Sequence, residues 1–371
     1  MRIAILGIKG IPATYGGIER YTEEVAVRLA ARGHDVTVYC RSYYTPREIA
    51  RKRYQGVRLV RLPTLRHRVT DTLSHTALAT LHAMQSRYDV VIYHSLGNAL
   101  FTVAPRLVST PSLLILHGQE WRQDKWKGSG ERFFRLSERA AGRCASRVAV
   151  IAHWLREDIE HRHGWSPALV STGVAMADPI PAEHLDEFGL TRDNYLLFVG
   201  RLVPEKEVHT LIRAYEQLHT HMPLVIVGDT QHLPDYSAKL KEMAGPNVRF
   251  LGFRYGEELA TLYTNAYLYI LPSSSEGIAQ SLLEAMSFND CVVVSDIPQN
   301  IEAAAPLGFT FTTGDAADLR RVLCELLDNP ALVAERRTLA RAHVRSRYDW
   351  DVVTDHHERL CAALVQRAKR A

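Results

Sequence analysis

The sequence predicts an α/β protein of two domains, each a parallel sheet flanked by helices. Three observations predict it. Short apolar, β-branched runs alternate with amphipathic helical stretches along the chain. A length of 371 residues with 46% hydrophobic content exceeds one ordinary domain and lets two domains of roughly 170 residues each bury a full core. A stretch rich in proline and small residues, STGVAMADPIPAEH (171–184), separates the two βα series.

The first series opens with the apolar strand RIAILGI (2–8), followed by a loop, GIKGIPATYGG, with four glycines. The helix after it carries Ile18, Tyr21, Val25 and Leu29 at helical spacing, Gly33 ends it, and VTVYC (36–40) is the next strand. A βαβ unit whose first loop is long and glycine-rich is fit for a ligand. It is not the dinucleotide fingerprint G-x-G-x-x-G, because two residues separate Gly7 from Gly10 and Gly16-Gly17 follow much later, so a nicotinamide dehydrogenase is unlike this chain. Further on, YHSLGN holds His94, LLILHG (113–118) places His117 at the end of a buried strand before Gly118, and RVAVIA (147–152) is the last strand of this half.

The second series starts at YLLFVG (195–200), and the following helix carries Val208, Leu211, Ile212 and Tyr215. Arg201 and Lys206 stand where that strand becomes the helix, so two cations beside a helix N-terminus can neutralise a diphosphate without a metal. LVIVGD (224–229), which reaches Gly228, and NVRFLGF (247–253) are further strands whose C-terminal ends feed one crevice. The stretch 271–296, LPSSSEGIAQSLLEAMSFNDCVVVSD, reads loop, helix, strand after YLYIL (267–271). Its helix begins near Ala279 and Gln280, where free backbone N–H groups and the helix dipole hold phosphate. Gly277 allows close backbone approach, and Glu276 and Glu284 flank the phosphate position as acceptors for sugar or ribose hydroxyls.

The Glu276-to-Glu284 stretch resembles the E-x7-E region of retaining glycosyltransferases of family 4, which have the GT-B fold. GRLVPEK matches that family's diphosphate-binding motif, and GIKGIPATYGGIER resembles the variant found in a bacterial surface-polysaccharide, rhamnosyltransferase-like subgroup. The resemblance holds along nearly the whole chain. It implies two Rossmann-like domains facing a central cleft. The first is the acceptor-side domain over 1–172, completed by a C-terminal helix at about 348–371 that crosses back to it. The second is the donor domain over 173–347.

It further implies that Arg201 and Lys206 contact the diphosphate, Glu276 orients the sugar and Glu284 holds the ribose. Gly16 and Gly17 lie under the donor, with Gly228, Gly277, Ile278 and Ala279 completing the donor surface. His117 lies near the transferred sugar, and Tyr15 and His94 are the acceptor-side candidates. The catalytic set implied is His117, Glu276, Arg201 and Lys206, with no metal and no cofactor, and the nucleotide sugar is a substrate. Three departures stand out: Glu207 where the family has Gly, Ile278-Ala279-Gln280 where it has a Gly-Leu-Pro-like run, and Ser171-Thr172-Gly173-Val174 where it has Pro-Asn-Gly-Val.

The net charge of +4 conceals an asymmetry, since residues 1–170 carry +12 and residues 171–371 carry −8. Basic residues crowd 47–68, which points to anionic lipid headgroups or a phosphorylated acceptor, and the family resemblance implies a glycan or lipid-linked acceptor. No aromatic-interleaved basic stripe accompanies them, which argues against nucleic acid. Five scattered cysteines without a C-x-x-C pair argue against a disulfide scaffold or zinc cluster and for a reducing cytoplasm, at most at the inner face of the plasma membrane. No apolar run approaches 18 residues, so neither a signal peptide nor a membrane span is expected. The expected activity is transfer of a sugar from a nucleoside diphosphate to a hydroxyl with retention. A nucleotide-sugar epimerase, which needs no acceptor, and a non-catalytic sugar-nucleotide-binding protein are the alternatives.

Overall fold

The computed structural model describes all residues except 15, 51–52, 68–69, 120–127, 177, 231–232 and 371. The chain divides into two compact units, Met1–Gly173 with Trp350–Ala371, and Val174–Asp349. The last helix, Trp350–Arg370, therefore belongs to the first unit.

In the first unit the strands are β1 Arg2–Leu6, β2 Asp35–Arg41, β3 Arg58–Leu62, β4 Val90–His94, β5 Ser112–Leu116, β6 Arg147–Val150 and β7 Ala168–Leu169. They form one sheet in the order β3-β2-β1-β4-β5-β6-β7, all parallel. In the second unit β8 Leu196–Val199, β9 Leu224–Val227, β10 Val248–Gly252, β11 Leu268–Leu271, β12 Val292–Ser295 and β13 Phe309–Phe311 form a parallel sheet in the order β10-β9-β8-β11-β12-β13. Strands such as LVIV and VVVS are buried along their length, because helices cover both faces of a parallel sheet.

Strand order sets where ligands are held. In the first sheet the chain runs from β1 outward to β3 and then returns to β4 on the other side of β1. In the second it runs from β8 outward to β10 and returns to β11 on the other side of β8. Each reversal opens a crevice at the carboxyl ends of the two strands that flank it. The glycine-rich stretch, His94, Arg201 and Glu276 lie at or just beyond the strand ends of these two reversals, and His117 and Gly228 follow the neighbouring strands β5 and β9.

The first unit is tied to its closing helix by packing and by charge. Gly173 lies against Trp350, where an added Cβ would stand 2.3 Å from the indole. Arg32 contacts Asp355 at 2.6 Å and Glu358 at 3.1 Å, and His34 meets Glu358 at 2.9 Å. No helix among the described residues is long and apolar enough to cross a membrane.

Candidate active site

At the reversal of the second sheet, β8 ends at Val199 and its loop makes one short turn, Pro204–Lys206, before the helix Val208–Tyr215. On the other side β11 ends at Leu271 and its loop leads to the helix Gln280–Ser287. The two loops are clipped together, since the Ser274 N–H donates to the Glu205 carbonyl at 2.9 Å. Across the clip the Lys206 ammonium is ion-paired with the Glu276 carboxylate, and these side chains are 14% and 9% exposed. The Arg201 side chain is exposed and makes no hydrogen bond or ion pair among the described residues, while its carbonyl accepts from the Val203 N–H at 3.0 Å. The crevice thus holds one cation neutralised by a carboxylate and one that is uncommitted. Beside them stands the N-terminus of an eight-residue helix whose first N–H groups point out of the ladder.

Glu284 lies one turn further along this helix, where the Tyr263 hydroxyl donates to its Oε2 at 3.3 Å. Ala279 is 3% exposed and Ile278 packs against the core. Gly277 is exposed and does not have a positive φ, so its backbone conformation makes no special demand for glycine. Gly228 does make one, with φ +122 and the Gly200 carbonyl 1.9 Å from where a Cβ would stand. Its role is to let the ends of β8 and β9 close on each other, which fixes the start of the Arg201 loop. Glu207 occupies the left-handed region at φ 51, ψ 31, the conformation that explains glycine at this place in the family. Its carboxylate accepts from Thr210 Oγ1 at 2.7 Å and meets His209 Nε2 at 3.1 Å.

At the reversal of the first sheet, the glycine-rich loop runs from β1 to the helix Gly17–Ala31. The loop is held from below by two glutamates one helical turn apart. Lys9 N–H donates to Glu19 at 3.1 Å and Ala13 N–H to Glu23 at 2.8 Å, while Thr14 N–H donates to the Tyr44 hydroxyl at 2.9 Å. Only the first of the paired glycines needs to be one: Gly16 has φ +101, whereas Gly17 is the first helical residue, with open space at its Cβ position. Tyr15 lies outside the described residues.

His94 ends β4, and His117 is the first residue after β5. His94 Nδ1 and His117 Nε2 face each other at 2.8 Å, and the rings stack with centroids 5.1 Å apart. His94 is 2% exposed and touches His117. Tyr21 sets its ring edge-on to both, and its hydroxyl meets His357 Nε2 of the closing helix at 2.6 Å. Burial pushes His117 down to about 3, with His357 contributing, pushes His357 down to about 3, and takes His94 well below the usual imidazole range. All three rings are neutral at pH 7. The groups sequence reasoning missed here are Glu19, Glu23, Tyr21 and His357. The i, i+4 spacing of the two glutamates just after a loop rich in free N–H groups was a usable signal.

The basic run at 47–68 is partly committed to the fold. Arg61 donates to the carbonyl of Thr45 at 2.7 Å and also to that of Ser42, Arg53 pairs with Asp35, and Arg66 lies over the Tyr43 ring. Among the described residues no three His, Cys, Asp or Glu are grouped so as to hold a metal ion.

Known proteins resemble this arrangement in sequence and in fold. The profile of the family described as Glycosyl transferases group 1 matches residues 183–343, and that of the Glycosyl transferase 4-like domain matches residues 16–172. A glycogen synthase of Mycobacterium tuberculosis is 27% identical over 409 residues, covering 95% of this chain and 92% of that protein. A GDP-mannose-dependent alpha-mannosyltransferase of Mycolicibacterium smegmatis is 26% identical over the whole of both chains. The crystal structure of Anabaena HepE in complex with UDP superimposes with a TM-score of 0.80 at 18% identity, covering 98% of this chain and 100% of that one. The two profiles together span most of the sequence, and the chain belongs to the group 1, family 4 glycosyltransferases, with the GT-B fold.

Proposed function

We propose that this glycosyltransferase moves a sugar from a nucleoside diphosphate to a hydroxyl acceptor, with retention at the anomeric carbon and without a metal, in the synthesis of a bacterial surface glycan. The observation that carries the reading is the crevice at the β8/β11 reversal. There the loop after β8 carries Arg201 and Lys206, the loop after β11 carries Glu276 and leads to the helix Gln280–Ser287, and Lys206 is paired with Glu276. Arg201 and Lys206 stabilise the charge that builds on the departing diphosphate. Arrival of the phosphate draws Lys206 away from Glu276, whose carboxylate then accepts from the sugar hydroxyls. Glu284 receives the ribose, and neutral His117 meets the sugar. HepE binds UDP, and the mycobacterial relative takes GDP-mannose, so both bases belong in the first screen.

The test is a thermal-shift screen against UDP-, GDP-, dTDP- and ADP-sugars, with and without EDTA, repeated on Arg201→Ala. Stabilisation by one donor in EDTA, lost in the variant, supports the reading. Stabilisation only after metal is added overturns metal independence. Conversion of donor alone to an altered sugar nucleotide identifies an epimerase, and the anomeric coupling of the product reports retention.

A lipid-linked acceptor fits one surface of the first unit. The helices Thr70–Gln85, Leu96–Val108 and Ser129–Cys144 pack side by side. They expose Leu81 at 60%, Leu107 at 82% and Leu136 at 60%, and residues 72–86 carry no charged side chain. Arg132, Arg135, Arg139 and Arg143 are exposed on the third helix. Apolar side chains beside arginines suit the interface of an anionic bilayer. Sedimentation with phosphatidylglycerol vesicles, lost in Leu81→Glu with Leu107→Glu, checks this contact.

A further inference from the structure

A buried histidine has to recover the cost of leaving water through its hydrogen bonds. The His94 ring is 2% exposed and makes two such contacts, Nδ1 to His117 Nε2 at 2.8 Å and Nε2 to Thr22 Oγ1 at 3.4 Å. Thr22 is itself 1% exposed. The backbone at His94 is pinned as well, since Asn98 Nδ2 donates to the His94 carbonyl at 2.6 Å and to that of Gly7 at 3.4 Å. A leucine would fill this space without the polar cost, so filling space does not account for the ring.

We propose that His94 is a positioning residue for His117, fixing the orientation of that ring and which of its two nitrogens carries the proton. Two facing nitrogens 2.8 Å apart accommodate one proton. Two lone pairs would repel and two N–H groups would collide. Each neutral imidazole has a single N–H, so the two tautomers are locked in step. If His94 donates, His117 carries its proton on Nδ1. If His117 donates, its Nδ1 is a bare acceptor. His117 Nδ1 has no hydrogen-bond partner among the described residues, which leaves it available to a substrate hydroxyl. Tyr21, edge-on to both rings at centroid distances of 5.9 and 4.9 Å, prevents either from turning. Nothing in this coupling depends on which tautomer is present.

The proposal rests on the reading that His117 meets the sugar, and the experiment separates the two. His94→Asn keeps an amide at the Nδ1 position, His94→Gln moves the amide to the Nε2 position facing Thr22, and His94→Phe keeps only the shape. The coupling predicts that Gln and Phe lower kcat about tenfold, the weight of one hydrogen bond, with the donor KM within about twofold, and that Asn recovers most of it. Nitrogen-15 shifts of His117 are expected to report one tautomer in the wild type and in His94→Asn, and a mixture in His94→Gln. An unchanged His117 pattern in His94→Gln, or equal losses in the Asn and Gln variants, overturns the proposal. His117→Ala with unchanged kcat would instead remove His117 from the sugar while leaving the nitrogen-15 result to decide the coupling. The Asn/Gln pair keeps the test valid if the Phe variant does not fold.

Discussion

The crevices at the two sheet reversals are built on opposite electrostatic plans. In the second unit the groups are charged: an exposed arginine with no ion pair among the described residues, a largely buried lysine held by a glutamate, and a helix dipole. In the first unit they are neutral, with His94, Tyr21 and His357 buried and His117 half-buried, joined by hydrogen bonds between the two strand-end histidines and between Tyr21 and the closing helix. Recognition of a diphosphate calls for charge that can be redirected when the ligand arrives. A sugar ring calls for fixed donors and acceptors, which enclosure supplies.

The largest expected effect falls on the charged plan. Arg201→Ala is expected to lower kcat by about a hundredfold or more with little change in melting temperature, because the exposed side chain makes no hydrogen bond or ion pair among the described residues and, on the proposed reading, acts on developing charge. Lys206→Met is expected to lose activity similarly and also about 1–2 kcal/mol of stability, since it strands a 9%-exposed Glu276. Adding Glu276→Gln should return most of that stability and none of the activity, as read by urea midpoints beside initial rates. Equal stability of all three proteins would show that the pair is not a structural element.

Gly228→Ala tests how the charged crevice is held, because the new Cβ meets the Gly200 carbonyl at 1.9 Å. A loss of about 2–3 kcal/mol is expected from forced backbone movement at a positive φ, together with weaker donor binding.

The enclosed plan responds to pH instead. His94, His117 and His357 have folded values below the ordinary 6.5, so they bind fewer protons folded than unfolded. Their neutral packing is fully stabilising above about 6.5, and stability declines as pH falls from there toward about 3. Urea midpoints at pH 7.5 and 4.5 should therefore differ, and His357→Phe should narrow the gap. The smallest effect is expected at Glu207→Gly, which relieves a left-handed residue and gives up contacts to Thr210 and His209, for a net gain of about 0.5–1 kcal/mol.

The sheets were legible in the sequence because strands of the LVIV and VVVS kind have no other low-energy place, and the motif-bearing loops follow them directly. Local grammar placed Glu276 before the helix that begins at Gln280 and placed Arg201 and Lys206 between β8 and the next helix. The pairing of Lys206 with Glu276 was not legible, because it joins positions 70 residues apart through strand order. His357 was hidden for the same reason, reaching Tyr21 across 336 residues. Residue type alone did not separate Gly16 and Gly228, which have positive φ, from Gly17 and Gly277, which do not.

The discontinuity of the first unit has a consequence for biosynthesis. Tyr21 and Gly173 are translated well before their partners His357 and Trp350. The second unit, whose residues are contiguous, has all of its chain before the first unit has its closing helix. Until then the face of Tyr21 that Trp350 and His357 cover is open. A chain truncated before Trp350 therefore presents a nascent first unit with its aromatic surface exposed, a form in which quality control can distinguish an unfinished polypeptide from a finished enzyme.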